Sequence, residues 1–220
     1  MRILALDTAT ELYSAALLIG DTVLARQHES DTGRGAAEHI LPMIDDLLRE
    51  AGATLRTLDA IAFGRGPGGF TGLRLTASVT QGLAFGADLP VIPVSDLAAV
   101  AQRAFDLDTS ADRMLVCNDA RMQEVYWACF ERDAAGRAFP AGVEHVGPAS
   151  DVCLSDDRVF AGAGRGFRVY PQLASCVDRV YDSLLPRAAE IARLAVNAPR
   201  LPPCEAVPVY LRDDVARPPS

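Results

Sequence analysis

Paired histidines are missing from this sequence. His28, His39 and His145 stand alone, with no His-x-x-His or His-x-x-x-His spacing to seat a metal, so metal catalysis has no ligand set. No Gly-x-Ser-x-Gly elbow occurs, and no serine has a histidine partner by position, which argues against hydrolysis by a catalytic triad. The five cysteines, Cys117, Cys129, Cys153, Cys176 and Cys204, are odd in number, widely spaced and form no Cys-x-x-Cys pair. That pattern excludes a disulfide framework and fits free thiols in a reducing cytosol. No apolar run approaches a membrane span, and no basic start followed by an apolar run opens the chain, so a soluble, cytoplasmic protein is expected. A basic stripe is also lacking: the net charge is −8 and the arginines are scattered. Nucleic acid would therefore be met only through a more basic partner.

The chain does have apolar residues in plenty. Half of its 220 residues are hydrophobic, enough for a proper core without metal or disulfide support. Short strand patterns at 3–6, 14–19 and 22–27 precede helical periodicity over 36–51. A strand at 60–63, a helix over 72–85, a strand at 91–94 and a helix capped by Ser95 follow. Alternating strands and helices predict a layered α/β domain. After a polar, aspartate-rich stretch at 105–113 the pattern restarts with paired strands at 114–118 and 125–130, which divides the chain into lobes at 1–105 and 106–220. A strand at 158–161, a glycine loop at 162–166, a helix over 186–196 opened by Pro186, a strand-like run at 207–211 and a frayed tail at 217–220 complete the expectation.

The richest segment is Gly64-Arg65-Gly66-Pro67-Gly68-Gly69-Phe70-Thr71-Gly72-Leu73-Arg74, in which clustered glycines lead into a helix with Thr71 as expected N-cap. It is not a Walker A loop, because Leu73 follows Gly72 where lysine is required. Backbone amides at Gly66, Gly68, Gly69 and Thr71 could cradle an anion at the helix start; a tight strand-to-helix turn explains the same residues equally well. Asp7 and Thr8 follow the first strand, Asp119 follows the first strand of the second half, and Gly162 and Gly164 form a second glycine turn. Together they outline a nucleotide cleft, although aspartate and threonine are also ordinary turn residues.

Two helices are too oily for one sheet face. Around the first, Ile40, Leu41, Met43, Ile44, Leu47, Leu48 and Ala51 cover roughly 160°; around the second, Leu73, Leu75, Ala77, Val79, Leu83 and Ala84 cover roughly 200°, interrupted by Thr76 and Thr80. A partner surface built from His39, Met43, Leu47, Leu75, Ala77, Val79 and Leu83 is expected.

Leu4-Ala5-Leu6-Asp7-Thr8, Gly66-Pro67-Gly68-Gly69-Phe70-Thr71-Gly72-Leu73-Arg74, Pro93-Val94-Ser95-x-Leu97, Asp119-Ala120-Arg121-x-x-Glu124-Val125-Tyr126 and Val209-Tyr210-Leu211-Arg212 occur in this order. In these motifs the chain resembles the bacterial TsaB (YeaZ) family over nearly its full length, with Gly69 where serine is usual. The resemblance implies an actin-like, sugar-kinase-like (ASKHA) fold of two lobes, the second one short. It also implies a non-catalytic role, without cofactor or metal, in making threonylcarbamoyladenosine beside the tRNA anticodon. The implied partners are a TsaD-like paralogue, docked through N-lobe helices, and a TsaE-like ATPase. A homodimer is implied when the paralogue is missing, with tRNA met only through the complex. TsaD-like chains carry two metal histidines where this chain has Asp96 and Val100. The alternative reading is a small nucleotide-binding enzyme related to sugar and acetate kinases; a peptidase acting on the paralogue is more remote, having no nucleophile, base or metal group.

Overall fold

The computed structural model describes residues 1–30, 35–152 and 160–212. Cys153, the first half of the strand expected at 158–161 and the tail expected at 217–220 lie outside those residues. Two sheets and five helices make up the described architecture.

The first sheet begins with an antiparallel meander of β1 (Arg2–Asp7), β2 (Leu12–Ile19) and β3 (Thr22–Glu29). Helix α1 (Ala36–Glu50) leads to β4 (Ala60–Gly64), then α2 (Phe70–Ala87) and β5 (Val91–Val94). The strand order is β3-β2-β1-β4-β5, with β4 and β5 parallel to β1. Helix α3 (Asp96–Leu107) crosses to the second sheet, formed by β6 (Arg113–Arg121), β7 (Glu124–Arg132), β8 (Ala138–Pro140), β9 (His145–Pro148), β10 (Ala161–Ala163) and β11 (Arg179–Tyr181). The one-turn helix α4 (Gly166–Val169) follows β10, and α5 (Ala188–Ala195) comes last. In the second sheet β6 has β7 antiparallel on one side and β10 parallel on the other. The central strand β1 has β2 and β4 in the same relation, so the two halves repeat one plan.

Period-two patterning explains why both faces of the first sheet are covered. Leu4, Leu6, Leu17, Ile61 and Phe63 point to one core with α1 and α2. The alternate residues Ile3, Ala5, Leu18, Ala62 and Ile92 point to the opposite core with Ala99 of α3 and Ala188, Ile191 and Ala192 of α5. Helix α3 also packs on the second sheet through Leu97, Val100, Ala104 and Phe105, and for that reason its sequence is apolar nearly all round. The chain therefore does not part cleanly into halves: α5 returns to the first sheet, and Leu201 bridges to Val91.

Several boundaries differ from expectation. Gly69, not Thr71, is the N-cap of α2, and Thr71 is exposed within the first turn. Pro186 precedes α5, whose N-cap is Arg187. Residues 207–211 form no strand, because they lie across the cleft and not beside a sheet edge. The buried stripe of α2 contains Thr76 and Thr80 as well as Leu73, Ala77 and Ala84. The threonines are thus part of the packed face and not a break in it, which turns Ser78, Gly82, Phe85 and Gly86 outward. Leu47 and Ala77 are buried in the chain's own core and offer no surface to a partner.

Candidate functional site

The turn after β1, the glycine loop, the end of β6 and the start of α2 surround a cleft of about 1200 Å³ between the lobes. Thr8, Thr10, Glu11, Gly68, Gly69 and Asp119 line it, and Arg165 reaches across from the second lobe to pair with Glu11 and Glu29.

The glycine loop is drawn tightly onto the turn after β1. Gly69 N–H donates to Ala9 C=O at 2.7 Å, which uses an amide that a bound phosphate would otherwise meet. A Cβ on Gly72 would lie 1.9 Å from Thr8 O, and one on Gly68 would lie 2.8 Å from Ala9 Cβ. Thr8 N–H donates to Thr76 Oγ1 at 3.0 Å, and Thr8 Oγ1 donates to Gly72 C=O at 2.8 Å. These glycines permit the close approach of two backbone segments. Gly66, at φ +108°, is pressed against Val209 O. The second glycine turn has the same explanation: Gly162 leaves room for the Phe167 ring, and Gly164, at φ +102°, sits on Cys117 O and Asn118.

Asp7 does not open to the cleft. Its side chain is fully buried, with Oδ1 accepting from Ala9 N–H at 3.0 Å and Oδ2 without a partner. Asp96, the first residue of α3, is equally buried, and neither of its carboxyl oxygens has a hydrogen-bond partner. The two carboxyls share the space beside Gly64, where a Cβ would lie 2.2 Å from Asp96 Oδ1 and 2.6 Å from Asp7 Oδ1. Burial disfavours the charged form of each. It pushes Asp7 up to about 7 and, with Asp7 as a like-charged neighbour, raises Asp96 well above the usual carboxylate range. Burial and the like-charged neighbour act in the same direction, so the pair favours its protonated forms. Asp119 stays at the cleft wall, where it accepts from Arg121 N–H at 2.9 Å and pairs with the Arg121 guanidinium. No cluster of three metal-capable side chains occurs among the described residues.

The outer faces of α1 and α2 expose a few large apolar side chains among polar ones. Leu41 is 50% exposed on α1, and Phe70 and Phe85 are 42% and 63% exposed at the two ends of α2. Leu75, half-buried, lines the cleft. Met43, Val79 and Leu83 are half-buried against the core below. His39 stacks on His28 with ring centroids 4.1 Å apart, which ties the start of α1 to β3.

A family model described as TsaD, tRNA N6-adenosine threonylcarbamoyltransferase, matches residues 23–150. The tRNA threonylcarbamoyladenosine biosynthesis protein TsaB of Haemophilus influenzae is 39% identical over 98% of this chain and 95% of its own length. The protein of the same name from Escherichia coli K12 is also 39% identical, over 98% and 96%. Among solved structures, YeaZ from Pseudomonas aeruginosa is 42% identical, with a TM-score of 0.88 over 96% of this chain and 99% of that one.

This chain belongs to the TsaB family. Its fold is accordingly the actin-like, two-lobed arrangement. Within this TsaB-family chain the fold brings Asp7, Thr8, Gly68, Gly69, Thr71 and Asp119 to one region, but Asp7 faces inward, Thr8 at the cleft floor bonds to α2, and Gly162 and Gly164 serve packing. Sequence reasoning missed Asp96 as the partner of Asp7, because an aspartate at the first position of a helix is ordinary dipole chemistry. It missed Thr76 because a hydroxyl in an apolar stripe reads as a break, and it missed Arg165 because nothing local marks an arginine that spans two lobes. No helix among the described residues is long and apolar enough to cross a membrane.

Proposed function

We propose that this chain is a non-catalytic subunit of tRNA threonylcarbamoyladenosine synthesis that docks a TsaD-like paralogue on the outer face of α1 and α2. A TsaE-like ATPase joins that pair, and tRNA is met through the assembly. The same surface pairs two copies when the paralogue is missing. The observation that carries the reading is the use of the cleft's binding groups inside the chain itself: Gly69 N–H is spent on Ala9, Thr8 on Gly72 and Thr76, and Asp7 is sealed beside Asp96. Asp96 and Val100, at the positions of the paralogue's metal histidines, are both fully buried, and a valine has no donor atom for a metal. The names of the relatives at 39% identity supply the pathway. The exposed Leu41 and Phe85 support docking through α1 and α2.

Size-exclusion chromatography with light scattering, on the chain alone and mixed with the TsaD-like protein of the same organism, tests the assembly. A complex is expected, and Phe85→Glu should weaken it. Threonylcarbamoylation of tRNA by the chain alone would overturn the non-catalytic reading, and failure of the native pair to associate would overturn the docking.

A further inference from the structure

Residues 207–212 belong to no strand or helix, yet they are bonded to both lobes. Gln81 Nε2 donates to Ala206 C=O at 3.1 Å and anchors its start to α2. Val209 N–H donates to Arg65 C=O at 2.7 Å, at the head of the glycine loop. The Tyr210 ring lies 5.4 Å from Phe70, its hydroxyl accepts from Arg74 Nε at 3.2 Å, and the Arg74 guanidinium stacks 3.6 Å over Phe70. At the far end Arg212 leaves the first lobe altogether. Its Nη2 donates to Ala120 C=O at 3.2 Å and pairs with the Glu124 carboxylate, and its Nη1 lies 3.3 Å from Met122 Sδ.

The turn that Arg212 grips is strained. Arg121, Met122 and Gln123, at the tip between β6 and β7, take φ of +60°, +55° and +64° in succession. Side-chain-bearing residues resist that left-handed region, and three in a row need outside support. Asp119 supports the turn from below through Arg121 N–H, and Arg212 supports it from the side through the carbonyl of Ala120. The segment and the turn both line the cleft.

We infer that residues 208–212 form a latch: they fasten the glycine loop and the start of α2 to the β6–β7 turn, and so fix the width of the cleft and the left-handed shape of the turn together. Undoing either end loosens both. This inference stands apart from the docking proposed above, since it concerns the isolated chain.

Hydrogen exchange of the intact chain, read by mass spectrometry, tests it. Arg212→Ala should speed exchange about fivefold or more both in peptides covering 119–124 and in those covering 64–70, with the circular dichroism spectrum retained. Tyr210→Ala, acting at the opposite end, should speed the 119–124 peptides as well. Replacing Met122 and Gln123 by glycine relieves two of the three left-handed positions; in the Arg212→Ala background it should slow the turn again while 64–70 stays fast. Acceleration confined to 208–212 in both single variants would overturn the latch. So would a uniform rise over every peptide, which would report general destabilisation.

Discussion

Gly72 and Gly82 lie on the same helix and obey opposite rules. A methyl group at Gly72 would meet Thr8 O at 1.9 Å, whereas one at Gly82 meets nothing within 4 Å. Gly72→Ala should therefore destabilise the chain by about 3 kcal/mol through overpacking. Gly82→Ala should stabilise it by about 0.5–1 kcal/mol through helix propensity. Thermal unfolding of the two variants checks both signs; at this chain length 1 kcal/mol moves Tm by roughly 2–4 °C. The Asp7–Asp96 pair makes a different prediction. Burial raises both carboxyls, so the folded chain holds protons that the unfolded chain has released. Stability from this source is complete below the unfolded carboxylate value near 4 and is lost as pH rises toward about 7. Arg65 and Glu144, the other charged groups acting on Asp96, form an ion pair at 3.1 Å. Asp96→Asn removes one charge and supplies a donor to Asp7. It should raise stability by about 1–3 kcal/mol at pH 8 and much less at pH 4.5. Denaturant titrations at the two pH values measure this, and equal gains at both would overturn the raised carboxyls.

The helix α2 shows which apolar residues belong to the chain and which are left for a partner. Leu83 and Met43 pack against the core formed with Phe63 and Ile61. A glutamate at either should therefore lower Tm as well as weaken assembly, which makes them poor probes of docking. Phe85 and Leu41 carry half or more of their area in solvent. Phe85→Glu and Leu41→Glu should leave stability within about 0.5 kcal/mol of the parent, as surface changes do. Their association with the TsaD-like partner should weaken at least about tenfold, the cost of losing an apolar anchor. Isothermal titration of each variant separates the two effects.

Taken as one body, the chain is acidic, with a net charge of −8 and no lysine at all. Several arginines at the cleft are already engaged: Arg165 with Glu11 and Glu29, Arg212 with Glu124, and Arg121 with Asp119. Association with a polyanion needs uncompensated positive charge. The chain alone should show no tRNA gel shift at physiological salt, while the complex with its paralogue should show one. A salt-sensitive shift by the chain alone would place a nucleic-acid surface on it.

The order of strands and helices from β1 to β7, the two-lobed repeat and the glycine-rich entry to α2 were legible in residue order, because backbone propensity and hydrophobic period act over a few neighbours; the short β8, β9, β11 and α4 were not. The family followed from short motifs for the same reason. Residue order left open whether the glycines hold a ligand or admit a neighbouring backbone. The approach of Thr8 to Gly72, across 64 residues of chain, decided that. It also left open which side of α2 is buried, since Thr76 reads as polar until Thr8 is found beside it. The partner of Asp7, the reach of Arg165 and the grip of Arg212 on a distant turn were settled only by tertiary packing. Burial and charge pairing depend on what surrounds a side chain in space, and chain neighbours carry no record of it.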